Sequence, residues 1–339
     1  MKRYLSKQLI VMRCIADRQK GYGNLVRCIT LAKELRKKKY QILFLIDDEK
    51  QASKILVKQK FSHKIIPKEE SREQADRIAK IMNFFSSRIL LLDMREYGES
   101  LSKHLSKYDF KTVVIDDAWC KNVYADVIVN VTPVKQYHRY KKIRKKSKIY
   151  VGAKYFIADK KFLRYRKTSF RLRAPRIIIS MGGSDPEDLT SFVVKSLLSI
   201  SKIQATIILG PLYSHYNKIQ NTIKNNDNFT IINKPKNIWL EFSKSDLAIS
   251  NAGNTLFELA IMGIPTICMA AVKHQIPYAK IFAEKGFAKD LGYERKAAKK
   301  AILSTTLNLL HDELLRVKMS KAGSIIVDGK DRKSTRLNS

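Results

Sequence analysis

The chain has 339 residues, more than one ordinary domain needs, so two are expected. Its hydrophobic content of 45% excludes a mostly disordered chain. Apolar runs such as Ile89-Leu90-Leu91-Leu92 and Ile177-Ile178-Ile179 are far shorter than the roughly 18 residues that span a bilayer. With 66 Lys+Arg against 31 Asp+Glu, the net charge of +35 favours phosphates, polyanions and anionic headgroups as partners.

Residues Met1 to Gln8 lead into only a short apolar stretch with no small-residue cleavage site, so a cytoplasmic location is expected. Cys14, Cys28, Cys120 and Cys268 are scattered, which suits reduced, buried thiols better than disulfides or zinc. Strands are predicted at Leu9–Arg13, Ile42–Ile46, Ile89–Leu92, Thr112–Ile115, Val127–Val129 and Ile149–Val151. A second series follows at Arg176–Ser180, Ala205–Leu209, Thr230–Ile232, Leu247–Ile249 and Thr266–Met269. The continuous apolar runs suggest strands buried on both faces. Amphipathic helices are predicted between them, for example at Leu25–Lys38, Glu73–Phe85, Asp188–Ile200, Leu256–Met262 and Ala279–Lys285. This β-α alternation predicts an α/β chain of two Rossmann-type, doubly wound domains facing a central cleft. The domains are placed at 1–160 and 161–330, joined through a basic linker at Asp159–Pro175; 331–339 is expected to be a disordered tail.

The densest basic segment is 135–148, where Tyr137, His138 and Tyr140 interleave with Lys and Arg. That mixture would suit nucleic acid. Because the Lys excess runs along the whole chain, a solvated surface or peripheral contact with an anionic membrane is expected instead, and nucleic acid is not a predicted partner.

Three loops could carry chemistry. Lys20-Gly21-Tyr22-Gly23-Asn24 follows the first strand, where Gly21 and Gly23 allow close approach of a ligand to a helix start. The same residues also fit a simple turn with Asn24 as N-cap. Ser180-Met181-Gly182-Gly183-Ser184-Asp185-Pro186 follows a buried strand, with Ser184 or Asp185 as cap and Pro186 in the first helical turn. Glu187 and Asp188 make that helix start acidic, so its glycines would leave room for a ligand held elsewhere. Ser250-Asn251-Ala252-Gly253-Asn254-Thr255-Leu256-Phe257-Glu258 ends a strand and opens a helix. Its free amides, with Asn254 and Thr255, would hold a diphosphate, and Glu258 would accept hydrogen bonds from ribose. Thr255 to Glu258 equally spell a T-x-x-E capping box that needs no ligand. The six histidines show no metal-ligand spacing, and no metal or cofactor is expected.

Taken in order, these segments resemble one family. Met12-Arg13…Gly21-Tyr22-Gly23-Asn24-Leu25-Val26-Arg27-Cys28 is similar to the R…GxGHxxRC opening of PseG, the UDP-sugar hydrolase of pseudaminic acid biosynthesis. Val114-Ile115-Asp116-Asp117 resembles its IDD segment and Val151-Gly152-Ala153-Lys154-Tyr155 its motif before the linker. Ser180 to Asp185 resembles SxGGSD, Ala252 to Glu258 resembles AGSTxxE, and His274-Gln275 resembles a terminal [NH]Q pair. The resemblance implies a GT-B architecture, shared with SpsG and the glycosyltransferase MurG. It also implies hydrolysis of a UDP-linked diacetamido sugar, without a metal. Glu258 would hold the ribose, Asn254 and Thr255 the diphosphate, and Gly183, Gly253 and Gln275 would line the same site. The sugar would lie toward Gly21 and Gly23, and the catalytic base would follow Gly23. Here that position is Asn24, a neutral amide that cannot take a proton. A glycosyltransferase using a UDP-sugar donor and a catalytically impaired UDP-sugar binder are the competing readings.

Overall fold

The computed structural model describes residues 8–16, 22–93, 98–117, 122–140, 147–171, 175–201 and 203–329. Gly21, Cys120, residues 141–146 of the basic segment and the tail 331–339 lie outside them. The chain divides into two compact units, Met1–Ile157 and Ala158–Ser339.

The first unit runs β1 (Leu9–Cys14), α1 (Gly23–Lys37), β2 (Gln41–Ile46), α2 (Lys50–Lys58), β3 (Ser62–Ile65), α3 (Ser71–Phe84) and β4 (Ile89–Asp93). It continues with α4 (Gly98–Leu105), β5 (Lys111–Asp116), β6 (Val127–Asn130) and β7 (Lys148–Val151). The strands make one seven-stranded sheet in the order β3-β2-β1-β4-β5-β6-β7. Every pairing is parallel, with Met12 facing Phe44 on one side and Leu91 on the other. Central strands are apolar on both faces because helices cover both, as in the buried pattern of Val11, Met12, Leu90 and Leu92. In α3, Gln74, Ala75, Ile78, Ala79 and Met82 form the buried stripe, at helical spacing.

The second unit runs α5 (Lys160–Arg164), β8 (Arg176–Ser180), α6 (Leu189–Leu197), β9 (Gln204–Leu209), α7 (Tyr216–Ile223), β10 (Phe229–Asn233) and α8 (Ile238–Ser243). It ends with β11 (Leu247–Asn251), α9 (Asn254–Met262), β12 (Thr266–Met269), α10 (Ile276–Glu284), β13 (Ala288–Asp290), α11 (Arg295–His311) and α12 (Glu313–Ile326). Its six strands are parallel in the order β10-β9-β8-β11-β12-β13. Ile177, Ile179, Ile207, Ile249, Ile267 and Val193 belong to its core. Helix α9 is buried along most of its length.

Two strands were not foreseen. β3 (Ser-His-Lys-Ile) and β13 (Ala-Lys-Asp) are edge strands, and an edge strand can stay polar and short. The stretch read as a linker is also different. Arg166 donates to the Ile261 and Asp328 carbonyls, and the Lys167 amide donates to the Met262 carbonyl. Lys167 and Arg171 both pair with the buried Asp246. Its basic residues therefore belong to the second unit rather than to a free connection. Among the described residues no helix is long and apolar enough to cross a membrane.

Candidate functional site

In the second sheet the strand order reverses between β8 and β11, and at such a switch point the adjacent loops leave in opposite directions and open a crevice. The loops concerned are those after Ser180 and Asn251. Ser180 and Ser250 are register partners, and the Ser250 hydroxyl donates to the Ser180 carbonyl at 2.9 Å. Gly182 has φ +92°, and a Cβ there would sit 3.1 Å from Asn251 Nδ2. Gly210, after β9, packs so closely that a Cβ would fall 2.3 Å from the Gly183 carbonyl oxygen. Gly183 itself faces open space. The result is a glycine-rich stretch of backbone at the carboxyl ends of β8, β9 and β11, with open space at Gly183.

Neutral amides surround it. A Cβ on Gly253 would lie 3.2 Å from Gln275 Nε2 and 3.4 Å from Asn251 Oδ1. Gln275 is fixed by accepting the Ala271 amide at 2.9 Å through its carbonyl oxygen, which leaves its NH2 group toward Gly253. Asn251 Oδ1 is buried and has no hydrogen-bond partner among the described residues. An orphaned buried acceptor is costly, and a bound ligand is one remedy.

Helix α9 starts with Gly253 as its cap and no side-chain cap, so the capping-box expectation for Thr255 and Glu258 fails. The helix begins two residues earlier than that box requires, at Asn254; the Leu256 amide donates to the Gly253 carbonyl at 3.0 Å, and the Asn254 and Thr255 amides have no acceptor among the described residues. Among the described residues, the side chains of Asn254, Thr255 and Glu258 have no hydrogen-bond or ion-pair partner. Asn254 and Glu258 are one helical turn apart and form the half-buried stripe of an otherwise buried helix. Burial pushes the Glu258 carboxyl up to about 8, with the nearby Asp159 adding to the shift. Among the described residues no cation neutralises this carboxyl.

The α6 start differs from α9. Asp185 accepts the amides of Leu189 and Thr190, and Asp188 accepts that of Ser191. The helix begins at Leu189, so Pro186 precedes it rather than occupying its first turn. With its amides already taken by carboxylates, this helix start is closed to a phosphate, in keeping with the acidic reading of Glu187 and Asp188.

The first unit reverses its order between β1 and β4, and its carboxyl end is densely charged. Gly23 is the first residue of α1 and Tyr22 its cap. Asn24 is therefore inside the first turn, not the N-cap. Its Nδ2 donates to Asp93 Oδ1 at 2.9 Å. Arg27 Nε donates to Asp93 Oδ2 at 2.8 Å and its Nη1 to Asp117 Oδ2 at 3.0 Å. All three charged side chains are buried. Burial works against the Arg27 charge, but Asp93 and Asp117 outweigh it and hold its pKa above the ordinary value. Burial also raises Asp93 above the usual carboxylate range, countered only in part by Arg27. Arg13, on β1, donates to Asp47 Oδ1 at 2.6 Å beside this cluster's strand.

Asp93, Asn251 and Gly210 were not singled out from the sequence. The aromatic residues of the basic segment are turned to structure: Tyr140 donates to Asp116 and accepts from Asn130, while His138 bonds the Thr132 carbonyl. Among the described residues no group of three or more His, Cys, Asp or Glu could hold a metal.

Comparison with known proteins adds a lineage to this geometry. Residues 177–332 match the glycosyltransferase family 28 C-terminal domain. Over 331 residues, 92% of each protein, the chain is 25% identical to the spore coat polysaccharide biosynthesis protein SpsG of Bacillus subtilis (strain 168). Among solved structures it is similar to MurG of Acinetobacter baumannii, with TM-score 0.63 and 14% identity over 95% of this chain and 99% of that one. It is also similar to the spinosyn rhamnosyltransferase SpnG complexed with thymidine diphosphate, with TM-score 0.62 and 14% identity over 95% of this chain and 95% of that one. The likeness establishes a GT-B-like fold of two Rossmann-like α/β units.

Proposed function

We propose that this chain is an enzyme of surface-polysaccharide assembly that takes a UDP-sugar and releases UDP. The observation that carries the proposal is the glycine-rich backbone at the β8–β11 switch point. Gly182, Gly183 and Gly253 carry no side chains there, the Asn254 and Thr255 amides at the α9 start have no acceptor, and Glu258, one turn away, has no partner among the described residues. Backbone donors at a helix start suit a diphosphate. A carboxylate suits the two hydroxyls of a ribose. The similarity to SpsG, named for spore coat polysaccharide biosynthesis, and to a rhamnosyltransferase holding thymidine diphosphate supports the same ligand class. Gly253, Asn254, Thr255, Glu258, Gln275 and Gly183 are the proposed ligand-binding residues, together with Asn251. The second unit is thus the proposed UDP-holding one.

For the reaction, hydrolysis is the leading reading. The oxygen of water bonds to the anomeric carbon, the bond from that carbon to the diphosphate oxygen breaks, and UDP leaves with its electron pair. The proton of the attacking water passes to the departing diphosphate or to solvent. Asn24 cannot accept it, and its amide is committed to Asp93, so Asn24 would orient rather than deprotonate. Gly21 and Gly23 remain proposed for the sugar end. A second reading is transfer to an acceptor hydroxyl, favoured by that same neutral Asn24, since an acceptor is positioned by binding as well as by a base. Incubation with UDP-linked diacetamido sugars decides between them. UDP released in water alone supports hydrolysis; release only with an added acceptor supports transfer; no release with either would end both. Asn24→His should raise hydrolytic turnover by about 10²–10⁴-fold, the worth of a general base, if hydrolysis is the reaction.

A further inference from the structure

The first unit holds a cavity at the end of its sheet opposite to Asn24 and Asp93. It has a volume of about 440 Å³ and lies at the amino ends of three strands, with Leu9, Gln41 and Ser62 (the first residues of β1, β2 and β3) in its wall. Its lining includes three cations, Arg36, Lys39 and Lys60, and three aromatic rings, Tyr40, Phe61 and Phe85; no carboxylate lines it.

Arg36 is built into place. Its guanidinium lies 3.9 Å over the Phe61 ring, and its two terminal nitrogens donate to the Lys60 and Gln59 carbonyls at 3.0 and 3.3 Å. No carboxylate neutralises it among the described residues, and the side chain stays exposed. A guanidinium held in one plane offers its open face to a second flat group and keeps its charge for an anion. Phe61 is buried beneath it and packed edge-on against Phe44, so the platform is rigid. Phe85, at the rim, is 38% exposed.

Lys39 and Lys60 are exposed, and no partner holds either ammonium among the described residues. Both have left-handed backbone, φ +68° and +57°, one residue past the caps of α1 and α2. Glycine is the unstrained residue at such a helix exit. Two lysines held there, around one cavity, place their charge where a side chain is conformationally unfavourable, a pattern that points toward function. A cation at a helix C-terminus is also favoured by the helix dipole. That effect explains the charge but neither the cavity nor the stacked guanidinium.

We infer that this cavity is a second ligand site, for a phosphate ester carrying a planar ring, with the ring on the Arg36 plane and the phosphate between Lys39 and Lys60. The site is separate from the proposed UDP-sugar site, and its test is independent of that reading. Phenyl phosphate is the probe, titrated calorimetrically into the full chain and into Lys39→Gly/Lys60→Gly. Glycine relieves the left-handed backbone, so the variant should melt at the same temperature or higher while binding phenyl phosphate on the order of tenfold or more weaker. Inorganic phosphate should bind wild type on the order of tenfold weaker than phenyl phosphate, because it lacks the ring. Equal binding of phenyl phosphate by wild type and variant would overturn the site. Equal binding of the two probes would overturn the role of the ring. Dihexanoylphosphatidic acid below its micelle concentration is the control for a lipid headgroup, and tighter binding of it than of phenyl phosphate would also overturn the proposal.

Discussion

The carboxyl ends of the two sheets solve opposite problems with the same topology. In the first unit, Arg27 binds Asp93 and Asp117 in a buried network that Asn24 joins. That end is wired: its charged groups already satisfy one another. In the second unit, Gly182, Gly183, Gly253 and Gly210 remove side chains, Asn251 and Gln275 present amides, and Glu258 has no partner among the described residues. That end is vacated. A parallel sheet reversing its strand order thus offers a crevice, and the residues on its rim decide whether the protein or a ligand fills it.

The sharpest way to break the contrast is to unwire the first end. Arg27→Ala removes the cation between two buried carboxylates and should cost about 3–5 kcal/mol, measured by urea unfolding. A loss below about 1 kcal/mol would mean that the network does not hold this end of the sheet together. Filling the second end comes next. Gly210→Ala places a methyl 2.3 Å from the Gly183 oxygen, so the loop must shift. A loss of about 1–3 kcal/mol is expected, with weakened UDP binding; unchanged values for both would show that the close approach is unimportant.

The third change concerns Glu258. An unfolded chain loses this proton near the ordinary carboxylate value of about 4.3, whereas the folded chain keeps it until about pH 8. Between those values the native state binds more protons, so wild-type stability falls as pH rises through the window and levels off above it. Glu258→Gln cannot titrate. Its melting temperature should match wild type near pH 4, exceed it increasingly toward pH 8, and then run parallel. Parallel curves across the whole range would show that Glu258 is not held protonated.

The sequence made the architecture legible because its central strands are buried on both faces, and such strands print themselves as continuous apolar runs like Ile177–Ile179. β3 and β13 were hidden by their place at sheet edges, where Ser62, Lys64 and Lys289 meet solvent without cost. Local rules misled at the helix starts. Asn24 and Thr255 are good capping residues, but α1 and α9 begin at Gly23 and Asn254, so neither side chain caps. Asp93 escaped notice because the apolar run ends at Leu92, while the strand continues one residue further to set the carboxylate beside Arg27. Gly210 reads as an ordinary glycine before Pro211. Its steric role depends on Gly183, which comes near only in the folded sheet.

The most direct test of the central claim, that a nucleoside diphosphate occupies the β8–β11 switch point, is calorimetric titration of UDP into wild type and Glu258→Ala at about pH 9, where the Glu258 carboxylate is ionised. Wild type should bind UDP, and removal of the carboxylate should weaken the affinity by about 10–100-fold, the worth of hydrogen bonds to a charged group. No UDP binding by wild type, or the same affinity in both proteins, would contradict it.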